Sequence, residues 1–278
     1  MPFDALLLQI PEWLLILILI LLFSGFSALG LLLVRKYIPH TVLKLHNDVA
    51  GFIFATLGVI YAVLLAFVVL VVWEQFNSAK EASEMEASYA FALYRDISMY
   101  PDSAAADVLR KEFREYVGSV VHSEYPSLAK LQIDTVTIVR FRELFYSFQR
   151  NLSPKTFQEV AGYGEIMKNL NLVAEKRALR MMGVKSSIPG PIWFTLLLGG
   201  FLTIGFTFLF GTENFKAQLI MSVSLSILIA MITFVMLELQ YPYSGNLSIQ
   251  PEGYKVILEW SPLKVSGDKT NTNPSVQH

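Results

Sequence analysis

The chain has 278 residues and a formal net charge of −1. Its residues are 54% hydrophobic and only 16% charged, against roughly 25% charged in soluble domains. With a mean hydropathy of +0.48 this excludes an ordinary cytosolic enzyme, and the near-neutral balance removes the surplus of Lys and Arg that grips a nucleic-acid backbone. There is no cysteine, so disulfides, thiolate metal sites and cysteine nucleophiles are excluded as well.

In chain order, the first element is an uncharged run of 22 residues between Glu12 and Arg35. About 20 apolar residues, each rising about 1.5 Å, cross a hydrocarbon core about 30 Å thick. The run is therefore predicted to span over 12–34, and the same test predicts spans at 49–73, 188–210 and 217–237. No Lys or Arg precedes the first run and no A-x-A pattern follows it, so it reads as a retained span, not a signal peptide. The fold class is an all-α integral membrane protein. A hairpin (1–74) leads to a helical water-facing domain (75–187), a second hairpin (188–240), a turn with a short segment (241–263) and a tail (264–278) of disorder-prone composition.

The water-facing domain opens as a continuation of the second span, because residues 76–99 contain no Pro or Gly before Pro101. Asp102 is predicted to cap a helix through Glu124 that Pro126 ends. A further helix near 134–150 carries Ile138, Phe141, Phe145 and Phe148 on one face. Another is predicted from Ser153-Pro154 toward Gly183, with Gly162 and Gly164 as places where it can break. An even number of spans puts both termini and this domain on one side. Charge leaves the side open. The short loops hold Arg35, Lys36, Lys44 and Lys216, while the domain side holds Lys80, Lys168, Lys176, Arg177, Arg180, Lys185 and Lys255 near the spans.

Within the second span Gly51, Ala55, Gly58, Ala62 and Ala66 form one stripe of small side chains, a helix-packing seam either inside one subunit or between subunits. Asn47 reads as an N-cap and Asp48 as a first-turn acid, or as part of a charged ring at a pore mouth. Thr195, Gly199, Thr203 and Thr207 in the third span face a similar row, Ser222, Ser226, Ala230 and Thr233, in the fourth. Such rows glue helices together or line a wet path. Glu238 ends the fourth span, where an acid sits at headgroup level or, inside a bundle, is a functional candidate. No dinucleotide, Walker, zincin or nucleophile-elbow motif is present, and His40, His46, His122 and His278 stand singly, so neither an enzyme, a cofactor nor a metal site is expected. The sequons at Asn151 and Asn246 are short enough to occur by chance.

Three segments resemble the bestrophin channels and the bacterial bestrophin-like family. Val72-Trp73-Glu74-Gln75-Phe76-Asn77 is similar to the exit of the bestrophin pore helix, Ser187-Ile188-Pro189 to the Ile-Pro pair before an aromatic-rich span, and Tyr241-Pro242-Tyr243-Ser244-Gly245 to the Asn-Pro-Phe-Gly turn. The resemblance implies a homo-oligomeric ion channel in the lipid bilayer, most often a pentamer, that passes small inorganic ions. The second span would surround the pore, and the termini and middle domain would be cytoplasmic, in a bacterial inner (plasma) membrane. Counting back from Trp73 puts the neck at Ala55, Val59 and Val63, all smaller than the Ile and Phe usual in bestrophins, so a dewetting gate would be wider or absent. Asn246-Leu247-Ser248-Ile249-Gln250 stands where animal bestrophins carry a run of acids that clasps calcium. Calcium needs several oxygens with carboxylates among them, so activation by that route is not expected. Selectivity stays open, since Asp48 would favour cations and the cluster Lys168–Lys185 would attract anions. The competing reading is a non-conducting scaffold or sensor whose helical domain binds a partner.

Overall fold

The computed structural model describes residues 10–184 and 188–260. The described residues form helices α1 (Glu12–Tyr37), α2 (His40–Lys44), α3 (Asn47–Ser98) and α4 (Ser103–Ser119). A π-helical turn (Val120–Glu124) leads to α5 (Tyr125–Leu128), α6 (Thr135–Asn151), α7 (Phe157–Gly183), α8 (Gly190–Thr207), α9 (Phe215–Gln240) and α10 (Glu252–Glu259). Helices α1, α3, α8 and α9 are long and apolar enough to cross a membrane, so the chain is an all-α membrane protein with four candidate spans. The segment 264–278 lies outside the described residues.

Helix α3 organises the molecule. Its 52 residues make a rod roughly 78 Å long at 1.5 Å per residue, more than twice a hydrocarbon core. The first half lies with α1, α8 and α9, and the second half runs on into the water-facing domain without a break at residue 74. In the membrane layer Phe23 and Leu31 of α1 pack against Ile204 of α8, Phe208 just past its end and Ile229 of α9. Val68 and Val72 of α3 pack with Leu196 of α8 and Met236 of α9. The water-facing core gathers Leu93, Tyr94 and Ile97 of α3 with Leu109 and Phe113 of α4, Ile166 and Leu170 of α7, and Tyr254 and Ile257 of α10.

Several boundaries follow the local signals. Asp102 accepts hydrogen bonds from the Ala104 and Ala105 amides, and Asp134 caps α6 through the Val136 amide. Three expectations are corrected. Pro126 does not end its helix: it sits in the first turn of α5, where its missing N–H is no loss, and the backbone has just widened to a π turn closed by Tyr125 N–H on the Val120 carbonyl. Helix α7 starts at Phe157, not at Ser153-Pro154. Thr156 and Glu159 form a reciprocal capping box, whereas Ser153 has no acid or amide three residues on. Gly162 and Gly164 do not break α7, because tertiary packing of Ile166, Leu170 and Val173 outweighs their low propensity.

Candidate functional site

The site is built on α3, because the chain covers only one side of that helix. In its most apolar stretch 11% of residues are buried. Ala50, Val68, Val72, Ala79, Ala90 and Leu93 face the rest of the chain. At 3.6 residues per turn, Asp48, Ala55, Val59 and Val63 share the opposite face, and all four are exposed, Val59 at 64% and Val63 at 50%. The same face continues past the membrane as Asn77, Glu81, Glu84 and Ser88, also exposed. Three aliphatic positions, Ala55, Val59 and Val63, on an uncovered face of a membrane helix would be ordinary beside lipid. In register, the same face turns to Asn and Glu where the helix leaves the apolar stretch.

The small-residue stripe lies uncovered by the rest of the chain. A Cβ at Gly58 meets nothing within 4 Å, at Gly51 it meets only the Phe210 ring at 3.9 Å, and Ala62 and Ala66 are exposed. The close approach inside the chain is made instead by Gly199 of α8, where an added Cβ would stand 2.7 Å from the Tyr61 ring of α3. Asn47 does not cap α3, whose N-cap is His46 without a side-chain bond. Its amide group bonds the Gly211 backbone in both directions (2.9 and 3.0 Å), which ties together the two hairpin loops.

The polar rows of α8 and α9 are glue where they meet. Ser222 shares hydrogen bonds with Ser27 of α1 (2.7 Å) and Thr207 of α8 (2.6 Å) while Ser27, Ser222 and Ser226 are buried, so no wet path runs between them. Arg35 is held by Gln218 and the Thr212 carbonyl at the loop end of this seam. At the opposite end Trp193 donates to Gln240 (3.0 Å), and Glu12 accepts from the Asn246 backbone and side chain. The turn that presents Asn246 depends on Gly245, whose φ of +78° is costly for residues with a Cβ.

Sequence reasoning did not find what fixes the water-facing half of α3. Glu86 of α3, fully buried, accepts from Arg180 of α7 and from the Tyr254 hydroxyl of α10 (2.6 Å). Glu124, placed by the π turn, receives both Arg180 and Arg177, the latter also donating to the Tyr116 hydroxyl at 3.1 Å. Two carboxylates thus balance two guanidiniums in a buried site rimmed by Tyr116, Tyr125 and Phe141 rings that face the cations. Burial works against the Arg180 charge, yet Glu86 and Glu124 outweigh it and hold its pKa well above the usual value. Burial, reinforced by Glu86, pushes the Tyr254 hydroxyl far up, so it stays a donor. The available signal was Arg177 and Arg180 at i and i+3 on a face otherwise carrying Val173 and Leu170. The expectation that Lys168–Lys185 forms an anion-attracting cluster is corrected by the same contacts: Arg177 and Arg180 are neutralised inside, and Lys168 and Lys176 pair with Glu165 and Glu175. Lys185 lies outside the described residues. Among the described residues no group of three His, Asp or Glu side chains could hold a metal.

A family model for the bestrophin-like domain matches residues 21–254. The chain belongs to the bestrophin-like family. Its fold is shared by crystal structures of a variant bacterial bestrophin homologue from Klebsiella pneumoniae (TM-score 0.67, 15% identity, covering 86% of this chain and 96% of that one). A crystal structure titled only as a membrane protein shares it too (TM-score 0.65, 16% identity, 88% and 96%). No curated protein matches the chain by sequence.

Proposed function

We propose that this protein is the subunit of a homo-oligomeric ion channel, five copies around an axis as the bestrophin resemblance implies, with α3 of each copy lining the pore. Ala55, Val59 and Val63 form the neck and Asp48 stands at one mouth. The observation that carries this reading is the face of α3 left uncovered among the described residues, apolar across the membrane and polar beyond it, with Ala50, Val68, Val72, Ala79, Ala90 and Leu93 buried on the opposite side. Between residues 48 and 88 that face carries Asp48, Glu74, Glu81 and Glu84 against Lys80 alone, and the guanidiniums of α7 are neutralised internally. The pore therefore favours cations over anions. The termini and middle domain are cytoplasmic and the membrane is the bacterial inner membrane. A reporter fused after Trp260 that is active only outside would reverse that orientation.

Planar-bilayer recording with purified protein tests the proposal. Cation-selective currents that shrink when Val59 becomes Lys support it. Silence across salts and voltages favours the scaffold reading, in which the water-facing domain docks a partner and the spans only hold the protein in the bilayer.

A further inference from the structure

At the loop end of the membrane layer, residues 35–48 and 208–216 carry the cations Arg35, Lys36, Lys44 and Lys216 against only two acids, Asp48 and Glu213. Lys44 takes Glu213 at 2.9 Å. Arg35 finds only neutral oxygens: its Nε and Nη2 donate to the Gln218 side-chain oxygen, and Nη2 donates also to the Thr212 carbonyl and hydroxyl. Gln218 is 3% exposed, and its amide nitrogen is spent on the Thr207 (3.2 Å) and Phe210 (2.7 Å) carbonyls, so its oxygen must face the arginine. The guanidinium also lies 5.6 Å from the centre of the Phe215 ring. Arg35 is thus clamped in place and half-buried, with its charge unmatched and both N–H groups of Nη1 unused among the described residues. Arg177 and Arg180 show the opposite case, since each meets a carboxylate. Lys36, the next residue, is exposed, and its Nζ lies over the Tyr37 ring at 5.7 Å with no carboxylate partner among the described residues. Three, four and seven residues back, on the same face of α1, stand the exposed Leu33, Leu32 and Leu29.

We infer that Arg35 and Lys36 hold the phosphate group of an anionic membrane lipid at the loop end of α1. A half-buried charge with no counter-charge is costly, and a phosphodiester supplies what the neutral oxygens lack, a negative charge with acceptors for charge-assisted N–H bonds. The level fits. Both residues stand in the last turn of a membrane-length helix, where the apolar run stops and headgroups begin. The exposed leucines beneath Lys36 give an acyl chain a surface to lie on, which a dissolved anion does not use, so the ligand is a lipid and not free phosphate. A phosphatidylcholine brings its own ammonium to the phosphate, whereas phosphatidylglycerol keeps a net negative charge, so the site prefers the second. Because Arg35 also ties α1 to the segment 212–218, occupation braces the two hairpins against each other and is read as stability.

Thermal unfolding of the full-length protein in a neutral detergent tests this. Saturating phosphatidylglycerol should raise the midpoint by about 5 °C, and phosphatidylcholine or inorganic phosphate should raise it far less. Arg35→Gln should lose most of that shift and Lys36→Gln, which breaks no hydrogen bond among the described residues, should lose part of it. Lys111→Gln, which removes an exposed cation of α4 in the water-facing domain, should keep all of it. A full shift in both Arg35→Gln and Lys36→Gln would overturn the inference. So would an equal loss in Lys111→Gln, the mark of diffuse charge attraction, or inorganic phosphate matching the lipid, the mark of a free-anion site. Should Arg35→Gln fail to fold, Lys36→Gln decides alone, and a full shift there overturns the lipid site. Native mass spectrometry gives a second readout: phosphatidylglycerol retained by the natural chain should be depleted in Lys36→Gln and not in Lys111→Gln. None of these readouts involves conduction or the number of copies.

Discussion

The two halves of α3 are held by opposite means. In the water-facing half the helix is held through one buried carboxylate: α7 supplies Arg180 to Glu86, α10 supplies Tyr254 to the same group, and the π turn brings Glu124 to both arginines. In the membrane half no ion pair holds it among the described residues, and contact with its own chain is made by shape, the Tyr61 ring over Gly199 and Val68 and Val72 against Leu196. The difference follows from solvent. Beyond the bilayer a charge can be buried if it is fully partnered, and its partners fix orientation. Inside the bilayer charges are costly and hydrocarbon gives helices no hydrophobic reason to associate, so close packing must serve. The chain is thus firmly built around the water-facing half of α3 and leaves one side of the membrane half uncovered among the described residues.

The largest effect expected from breaking this contrast is in the grip. Glu124→Ala leaves the buried Arg177 without a carboxylate and Arg180 with Glu86 alone, and should destabilise the water-facing domain by about 3–5 kcal/mol, read from chemical unfolding followed by circular dichroism in detergent. Tyr254→Phe removes one hydrogen bond to the Glu86 carboxylate and should cost about 1.5–3 kcal/mol, with α10 loosening first in hydrogen exchange. In the membrane half Gly199→Ala forces the Tyr61 ring aside and should cost about 1–3 kcal/mol. Gly58→Ala touches nothing within its own chain. It should leave monomer stability unchanged or raise it by up to about 1 kcal/mol, and any loss of assembly measured by size in detergent then reports on a neighbouring copy. The smallest effect is at Asp134. Burial opposes its charge, but hydrogen bonds from Thr137 and the Val136 amide prevail and hold its pKa below the ordinary carboxylate value. A depressed folded pKa means stability present above the unfolded pKa and lost as pH falls through the folded one. Asp134→Asn should flatten the acid limb of the stability profile while costing about 1 kcal/mol or less at neutral pH.

The membrane plan was legible because it depends on a local property: uncharged runs long enough to span are visible residue by residue, and α1, α3, α8 and α9 lie where those runs are. The unbroken rod was legible from the lack of Pro and Gly between 76 and 99, and the caps at Asp102 and Asp134 from their side chains. What misled were signals with two solutions. Ser153-Pro154 and Thr156 both start a helix acceptably, and Glu159 decided between them. Asn47 suits an N-cap, and a loop 164 residues away claimed it.

By itself, the sequence determined four spans, a helical domain between them and a second span prolonged into water, since each is set by hydropathy and propensity along the chain. Only the tertiary structure decided which side of α3 stays bare, that Arg177 and Arg180 spend their charge on Glu86 and Glu124, and that Ser222 of α9 bonds Thr207 of α8 and Ser27 of α1. Those outcomes depend on partners between 15 and 195 positions distant, and a buried ion pair or a packed glycine has no counterpart in any local pattern.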